Sequence, residues 1–457
     1  MNSSGLSWWD GHSATTTIVG SCYAAKLPEE LDLFLENGIL IDRRNRTPME
    51  MDGYSLYLAL VALERISGRD LRAEKKRLVD AVVDRFCKTG FWTHGAWTKR
   101  DNEVHMRFTA AAIRLLIEAS DDGLLPDREI IIEALKKHIA YSETISGGLW
   151  FLHDSLEVPG NSDFYRNANK FGAWGATPEN CLVLNTHLDT LATLLHFLKR
   201  IEASEDEKRV LDEKIESGLS SLAVVLSARI PSRWRILGVL DSAVRTVFFK
   251  THERQSASNR FIQRVVRRYF RARRLFKCAY PHFVMSDGYL ERDIGLNGTA
   301  FEYHTANVYD LARLAIQLRQ SNDHRHHAVR EQCEAIVDRG LDYATRTTYR
   351  HYWRAAMAEN GKPVLLCEAI LARLATMPDQ QPVPQAWITA YCEIRRRTPP
   401  SPAIAGYDPL TVAAATRIAP PASDVDRGLL HDGRRFSIDL IKERIALDGA
   451  RLSGFAG

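Results

Sequence analysis

Cys181-Leu182-Val183-Leu184-Asn185-Thr186-His187-Leu188-Asp189-Thr190-Leu191-Ala192-Thr193-Leu194-Leu195-His196-Phe197-Leu198 returns apolar residues at i, i+3, i+4 and i+7, the spacing that gathers side chains on one face of an α-helix. The same period runs through 54–66, 71–86, 106–119, 129–141 and 211–226, and it resumes over 303–318, 328–344, 364–374 and 387–395. Short breakers divide these segments into pairs: Ser67-Gly68-Arg69-Asp70, Asp121-Asp122-Gly123 and the charged stretch 202–207. Gly and Asp there end helices and form tight turns. Long connections separate one pair from the next. With the basic region 229–277 counted as a pair, the chain holds six helical hairpins, short turns at one end and elaborate loops at the other. The expected fold is all-α: an (α/α)6 toroid of helical hairpins over 51–396, with an open superhelix of helix pairs as the other arrangement of the same pattern.

The flanks read differently. Residues 1–50 form an irregular N-terminal segment, with Asp42-Arg43-Arg44-Asn45-Arg46 ahead of the first hairpin. From 397 to 457 an extended C-terminal arm is expected, because Pro399-Pro400-Ser401-Pro402 and Pro420-Pro421 break any helix. A short terminal helix is expected over 436–447, where apolar residues return. With 457 residues and 45% hydrophobic content, size does not limit core formation. The seven cysteines are scattered, with neither a CxxC pair nor the Cys/His spacing of a zinc site. They read as reduced structural thiols, and no metal or other cofactor is expected, since no Gly-x-Gly-x-x-Gly or Walker lysine loop occurs either. Met1-Asn2-Ser3-Ser4-Gly5-Leu6-Ser7-Trp8-Trp9 lacks the basic and apolar regions of a secretory signal. No stretch approaches the ~20 apolar residues that span a bilayer. A cytoplasmic location is expected.

The net charge of +4 hides an asymmetry. Residues 229–277 carry fourteen Lys/Arg against Asp241 and Glu253, a local +12, so the rest of the chain carries −8. Arg264, Arg267, Arg268, Arg271, Arg273, Arg274 and Lys277 alternate there with Ile262, Val265, Val266, Tyr269, Phe270, Leu275 and Phe276. A basic helix with an apolar stripe suits an anionic membrane surface, and the same charge attracts a polyanion. A hairpin whose stripe joins the core fits the same residues. Nucleic acid ranks last as a partner, because no zinc-finger or RNP-like pattern accompanies the charge.

Chemistry is expected where the loops meet the inner helices. The loops are rich in Gly and Trp: Gly90-Phe91-Trp92-Thr93-His94-Gly95-Ala96-Trp97, Gly147-Gly148-Leu149-Trp150-Phe151-Leu152-His153-Asp154, Phe171-Gly172-Ala173-Trp174-Gly175 leading to Glu179, and Ser286-Asp287-Gly288-Tyr289-Leu290-Glu291-Arg292-Asp293. Flat rings beside carboxylates and imidazoles suit a sugar-like ligand. Trp92, Trp97, Trp150 and Trp174 read first as plugs between hairpins, with one or two of them, among the candidates Trp92, Trp97 and Trp174, facing the cleft. His94, His105 and Arg107 form a dense polar set in which Arg107 can anchor a carboxylate or phosphate. Glu291, Asp293, Glu302 and His304 cluster around Gly295-Leu296-Asn297-Gly298. Two carboxyls ~5–10 Å apart serve glycoside hydrolysis. A His or Tyr beside an Asn or Arg that holds a uronate carboxylate serves lyase or epimerase chemistry.

The hairpin count and Leu184-Asn185-Thr186-His187-Leu188 on an inner helix resemble the toroid domains of carbohydrate-active enzymes, including heparinase-type lyases and glucuronyl C5-epimerases. The likeness spans about 51–396 as architecture and a few residues as motif. It implies substrate-binding or acid/base roles for Asn185 and His187, with Tyr303 or Tyr352 as a tyrosine partner. The chain departs from the secreted lyases in showing no signal and no evident β-sandwich after the toroid, which points to a cytoplasmic role in making or editing a glycan or glycolipid. The expected catalytic set is thus His187, Glu302, Glu291, Asp293 and Tyr303. Trp92, His94, Trp97, His105, Arg107, Trp174, Glu179, Asn185, Tyr289, His304, Tyr352 and Trp353 are expected to bind substrate, with Trp97, His187, Glu302 and Tyr352 facing one hollow. The reading from another class is a noncatalytic scaffold that docks on membrane or a polyanion through 229–277. His324-Arg325-His326-His327 reads as a solvated turn rather than a metal tract.

Overall fold

The computed structural model describes residues 17–19, 31, 35–42, 47–48, 53–54, 56–57, 60–61, 64, 68–94, 103–125, 127–251, 256–294, 300–321, 323–356, 364–397, 403–405, 424–430, 432 and 434–449. Helix dominates. In chain order the helices are α1 (Arg72–Thr89), α2 (Met106–Asp121), α3 (Glu129–Ala140), α4 (Leu184–Arg200), α5 (Glu205–Ser227), α6 (Arg235–Lys250), α7 (Ala257–Ala279), α8 (Tyr303–Gln320), α9 (His327–Arg346), α10 (Tyr349–Ala356), α11 (Val364–Thr376) and α12 (Gln385–Arg397). The described residues between 53 and 64 are helical as well. The strands are β1 (Thr17–Val19), β2 (Leu35–Glu36), β3 (Ile39–Asp42), β4 (Thr47–Pro48), β5 (Ser142–Ile145), β6 (Gly148–Phe151), β7 (Ala403–Ala405), β8 (Val425–Leu429), β9 (Arg435–Asp439) and β10 (Arg444–Asp448).

Local chemistry sets the helix ends. Gly90 closes α1 in the left-handed region, its N–H donating to the Phe86 carbonyl at 2.7 Å, a conformation that costs glycine nothing. Ser204 and Glu207 form a reciprocal capping box at the start of α5. Residues 142–151, which the loop reading leaves without structure, are a β-hairpin: β5 pairs antiparallel with β6, and Gly147 takes φ 94 in the turn.

The helices fall into two layers. α2, α4, α8 and α11 are buried all round, from Met106 to Ser120, Leu184 to Phe197, His304 to Leu318 and Leu365 to Thr376. α1, α3, α5, α9 and α12 bury one stripe each, as helices facing solvent on the other side do. The inner helices pack in succession, α2 on α4, α4 on α8 and α8 on α11, each backed by an outer neighbour. The helix at 53–64 joins this row through Tyr54, whose ring lies 5.4 Å from the Arg114 guanidinium on α2.

Two expectations are corrected. The basic pair α6–α7 does not supply one of six equivalent hairpins: α4 touches α8 directly, and the pair packs on itself and on α10. The expected terminal helix over 436–447 is a three-stranded antiparallel sheet, in the order β8-β9-β10. Phe436, Ile438 and Leu440 are buried while Ser437 and Asp439 are half-exposed, the period of two of a strand with one covered face. The prolines 399–402 and 420–421, and most of the N-terminal segment, lie outside the described residues. No described helix is long and apolar enough to cross a membrane.

Candidate functional site

The N-terminal ends of α2, α4 and α8 lie together beneath three interlocked loops. Backbone bonds tie the loops to one another: the N–H of Met106 donates to the His153 carbonyl at 3.0 Å, that of Leu184 to Arg292 at 2.9 Å, and that of Ile294 to Cys181 at 3.1 Å. Residues as far apart in sequence as Met106 and Ile294 are thereby brought to one place.

Three imidazoles meet there. The rings of His94 and His105 lie 5.8 Å apart, and those of His105 and His153 lie 4.2 Å apart, edge to face. All three are buried. His153 Nδ1 is 2.8 Å from the Thr186 hydroxyl, and its Nε2 is 3.2 Å from Arg292 Nη2. Arginine only donates, so Nε2 is the acceptor and Nδ1 carries the proton. Burial, then the Arg292 charge, holds His153 neutral, well below the usual imidazole range. Burial, then the Arg85 charge, lowers His94 to about 3. Burial, then His153, lowers His105. Arg292 itself stacks on Tyr303, 4.2 Å from the ring centroid.

Carboxyls complete the cluster. Burial, followed by repulsion from Glu103, pushes Asp154 well above the ordinary aspartate range. Glu157 is pushed up to about 7 by burial, although the N–H groups of His153 and Cys181 donate to it at 2.7 and 3.0 Å. Two buried amide oxygens on the inner helices, Asn185 Oδ1 and Asn307 Oδ1, have no hydrogen-bond partner among the described residues. The arrangement offers a neutral imidazole, carboxyls whose charge burial opposes and a half-buried arginine in one region.

The structure scatters the expected set. His94, His105, Arg107 and Tyr303 do come to this place or its floor, and Asn185 borders it. Arg107 is not a free anchor, because both Nη atoms bind Asp310, at 2.8 and 3.1 Å, and Nη1 also donates to the Asn185 carbonyl. His187 is corrected: it is a structural histidine. The Phe151 N–H donates to its Nδ1 at 3.2 Å, its Nε2 meets the Gly218 carbonyl at 3.1 Å, and its ring stacks on Trp150 at 4.0 Å. Both nitrogens are thus engaged, and burial lowers its pKa to about 3. His304 repeats the design, with the Leu290 N–H on Nδ1 at 3.0 Å, the Gly340 carbonyl at Nε2 at 3.1 Å and Tyr289 stacked beside it. Tyr289 and His304 are thus buried and engaged by the protein itself.

The other expected residues are placed as plainly. Glu291 is corrected as an acid: burial opposes its charge, but Lys277 and Arg273, at 3.1 and 3.0 Å, hold it at about 2. Asp293 is buried, and its carbonyl accepts from Lys277. Glu302 accepts from Tyr352 Oη at 2.9 Å, both residues half-buried. Trp92 and Trp353 are core plugs, their indole N–H groups donating to the Val82 and Ala344 carbonyls. Trp174 stacks on Phe283 at 5.9 Å, and Glu179 lies half-buried, its carbonyl accepting from the Cys181 thiol at 3.7 Å. Trp97 lies outside the described residues. His187, Glu302 and Tyr352 do not face one hollow. Near the far turn, Glu216, Asp323 and His326 bring their ligand atoms within 4.8 Å of one another, but His326 meets Glu216 at 2.7 Å and Asp323 binds Arg325.

The residues missed are Glu103, His153, Asp154, Glu157 and Arg292. His153-Asp154 and Arg292 stand in the quoted loops, so loop membership was their one signal. No protein-family model matches the chain, and no curated protein and no solved structure matches it.

Proposed function

We propose that the chain is an enzyme acting on an acidic glycan or glycolipid, by proton transfer next to a uronate carboxylate. The observation that carries this reading is the contact of His153 Nε2 with the Arg292 guanidinium at the loop-bearing end, where the neighbouring Asp154 is also buried. A carboxylate on the substrate would engage the Arg292 guanidinium, a charge-assisted contact. That frees the Nε2 lone pair of His153, neutral at physiological pH, to take the adjacent C–H proton as a general base. Asp154, protonated, would return a proton to the opposite face for epimerisation, or to the leaving oxygen for elimination. Asn185 and Asn307 would accept from sugar hydroxyls.

The test is incubation of the protein with free and lipid-linked uronate-containing oligosaccharides in heavy water, followed by mass spectrometry. Incorporated deuterium or a new unsaturated end is expected from the wild type, and its loss from His153→Asn and Arg292→Lys at unchanged melting temperature. A gain of water, or turnover that survives both substitutions, overturns the reading.

The row formed by the helix at 53–64 and α2, α4, α8 and α11 also supports a toroid as the full architecture, with the basic pair set outside it. An experimental structure in which the 53–64 helix packs on α11, axes ~8–10 Å apart, would close the ring. An open gap between them would make it a superhelix.

A further inference from the structure

We propose that the outward face of α6–α7 is a docking surface for an anionic lipid bilayer. Among the described residues, seven of the thirteen exposed large apolar side chains belong to these two helices, Ile236, Val239, Leu240, Val247, Phe261, Val265 and Leu275, and an eighth, Trp234, immediately precedes α6. Ile236 is 74% exposed, Val239 68% and Phe261 65%. Such concentration exceeds the scatter of single apolar residues normal on a protein surface. On α6, positions 236, 240, 243 and 247 fall on one face at helical spacing. On α7, positions 261, 265, 272 and 275 share one face in the same way, with Arg268 between them.

Charge lies beside the stripe. Arg260, Arg264, Arg267 and Arg271 follow the same spacing one residue earlier and are exposed, as are Arg268, Arg235 and Lys250. Three other cations of the region turn inward and are neutralised: Arg245 on Asp287 at 2.8 Å, and Arg273 and Lys277 on Glu291. Asp241 is buried against Arg273 and Tyr269, so the described surface of the pair presents no acid. Because Asp241 on α6 meets two residues of α7, the helices share a fixed seam, and the exposed stripes lie on the side away from the protein.

Charge complementarity selects the occupant. A second copy would set like charges against each other. A nucleic acid would leave the aliphatic residues of both helices in water. An anionic bilayer meets both features, with hydrocarbon for the stripe and headgroups for the arginines. This inference does not depend on the catalytic reading.

Flotation with phosphatidylcholine vesicles containing about 30 mol% phosphatidylserine, against phosphatidylcholine alone, tests it. The wild type is expected to float with the anionic vesicles only. Arg264→Gln, Arg267→Gln, Arg268→Gln and Arg271→Gln together should weaken binding about a hundredfold or more, at roughly 1 kcal/mol per cation. These side chains are exposed, so the melting temperature should hold. Ile236→Ser with Val239→Ser and Phe261→Ser keeps the charge and should abolish the binding that survives high salt. No flotation of the wild type, equal flotation of the arginine variant, or retention on duplex DNA without flotation overturns the proposal.

Discussion

His187 and His304 show how the hairpins are pinned. In each, a loop N–H and a carbonyl of the following outer helix clamp the two ring nitrogens, and the carbonyl belongs to a glycine that lets the inner helix come close. A Cβ on Gly340 would lie 2.6 Å from Val308 Cγ2, and on Gly218 it would lie 2.9 Å from Leu191 Cδ2. Gly148 is tighter still: at φ 148, its Cβ would fall 2.1 Å from the Ser217 carbonyl oxygen, a backbone atom. Gly148→Ala should therefore cost more than Gly218→Ala, on the order of 3 kcal/mol or more against 1–3, measured by urea denaturation. Equal costs would mean that the contact relaxes freely. These histidines also set an acid limit. Burial holds His94, His187, His282 and His304 at about 3 and His138 at about 4, below the ~6.5 of an unfolded chain. The unfolded state thus binds more protons below pH ~6.5, and stability falls as pH drops from there through the folded values. Each adds up to about 1.4 kcal/mol per pH unit. Urea midpoints at pH 7.5, 6 and 5 should decline steeply over the last step, and a flat profile would contradict neutral buried rings.

Elements were legible to the extent that one face decided them. The helical period of Leu184, Leu188, Leu191 and Leu195 survives in α4 because packing rewards that stripe, and the boundaries of most helices follow the breakers that end them. The β-hairpin β5–β6 was hidden, since its Ser146-Gly147 turn and Leu149-Trp150-Phe151 run mimic any buried loop. The period of two at Phe436, Ile438 and Leu440 was present but was read against a helical background. The placement of α6–α7 was not legible either, because whether Arg273 and Lys277 point to solvent depends on Glu291, which lies on a different loop. That latch yields a prediction. Glu291→Gln removes the carboxylate from a site where Lys277 and Arg273 are both buried, and stranding buried charge costs about 3–5 kcal/mol. Trypsin should then cut within 229–277 sooner than in the wild type. Ser204→Ala, which removes an exposed cap, should cost only about 1 kcal/mol. If the two losses match, the latch contributes no more than a surface cap.

The whole molecule is organised around a buried ionic core. Arg114 from α2 reaches Asp189 on α4 at 3.1 Å, Arg313 from α8 binds the same carboxylate, and Arg107 from α2 binds Asp310 on α8. All five are buried. Arg107 and Asp310 are separated by 203 residues, so no local pattern announced the pair; the candidate site was obscure for the same reason, being assembled from loops that only the fold brings together. Burial opposes the charge on Asp189, but Arg114, Arg313 and Arg107 hold it at about 2. Three arginines to two aspartates leaves one surplus positive charge in this set. Asp189→Asn should then cost about 3–5 kcal/mol, because Arg114 and Arg313 lose their shared counter-ion where no water replaces it. Removing one of those arginines at the same time relieves part of the loss, so Asp189→Asn with Arg313→Met should destabilise by less than the two single changes added together, with a coupling of about 1–3 kcal/mol. Strict additivity in that double-mutant cycle would mean that the three inner helices are held by apolar packing alone, and that their alignment beneath the loops does not depend on the charges between them.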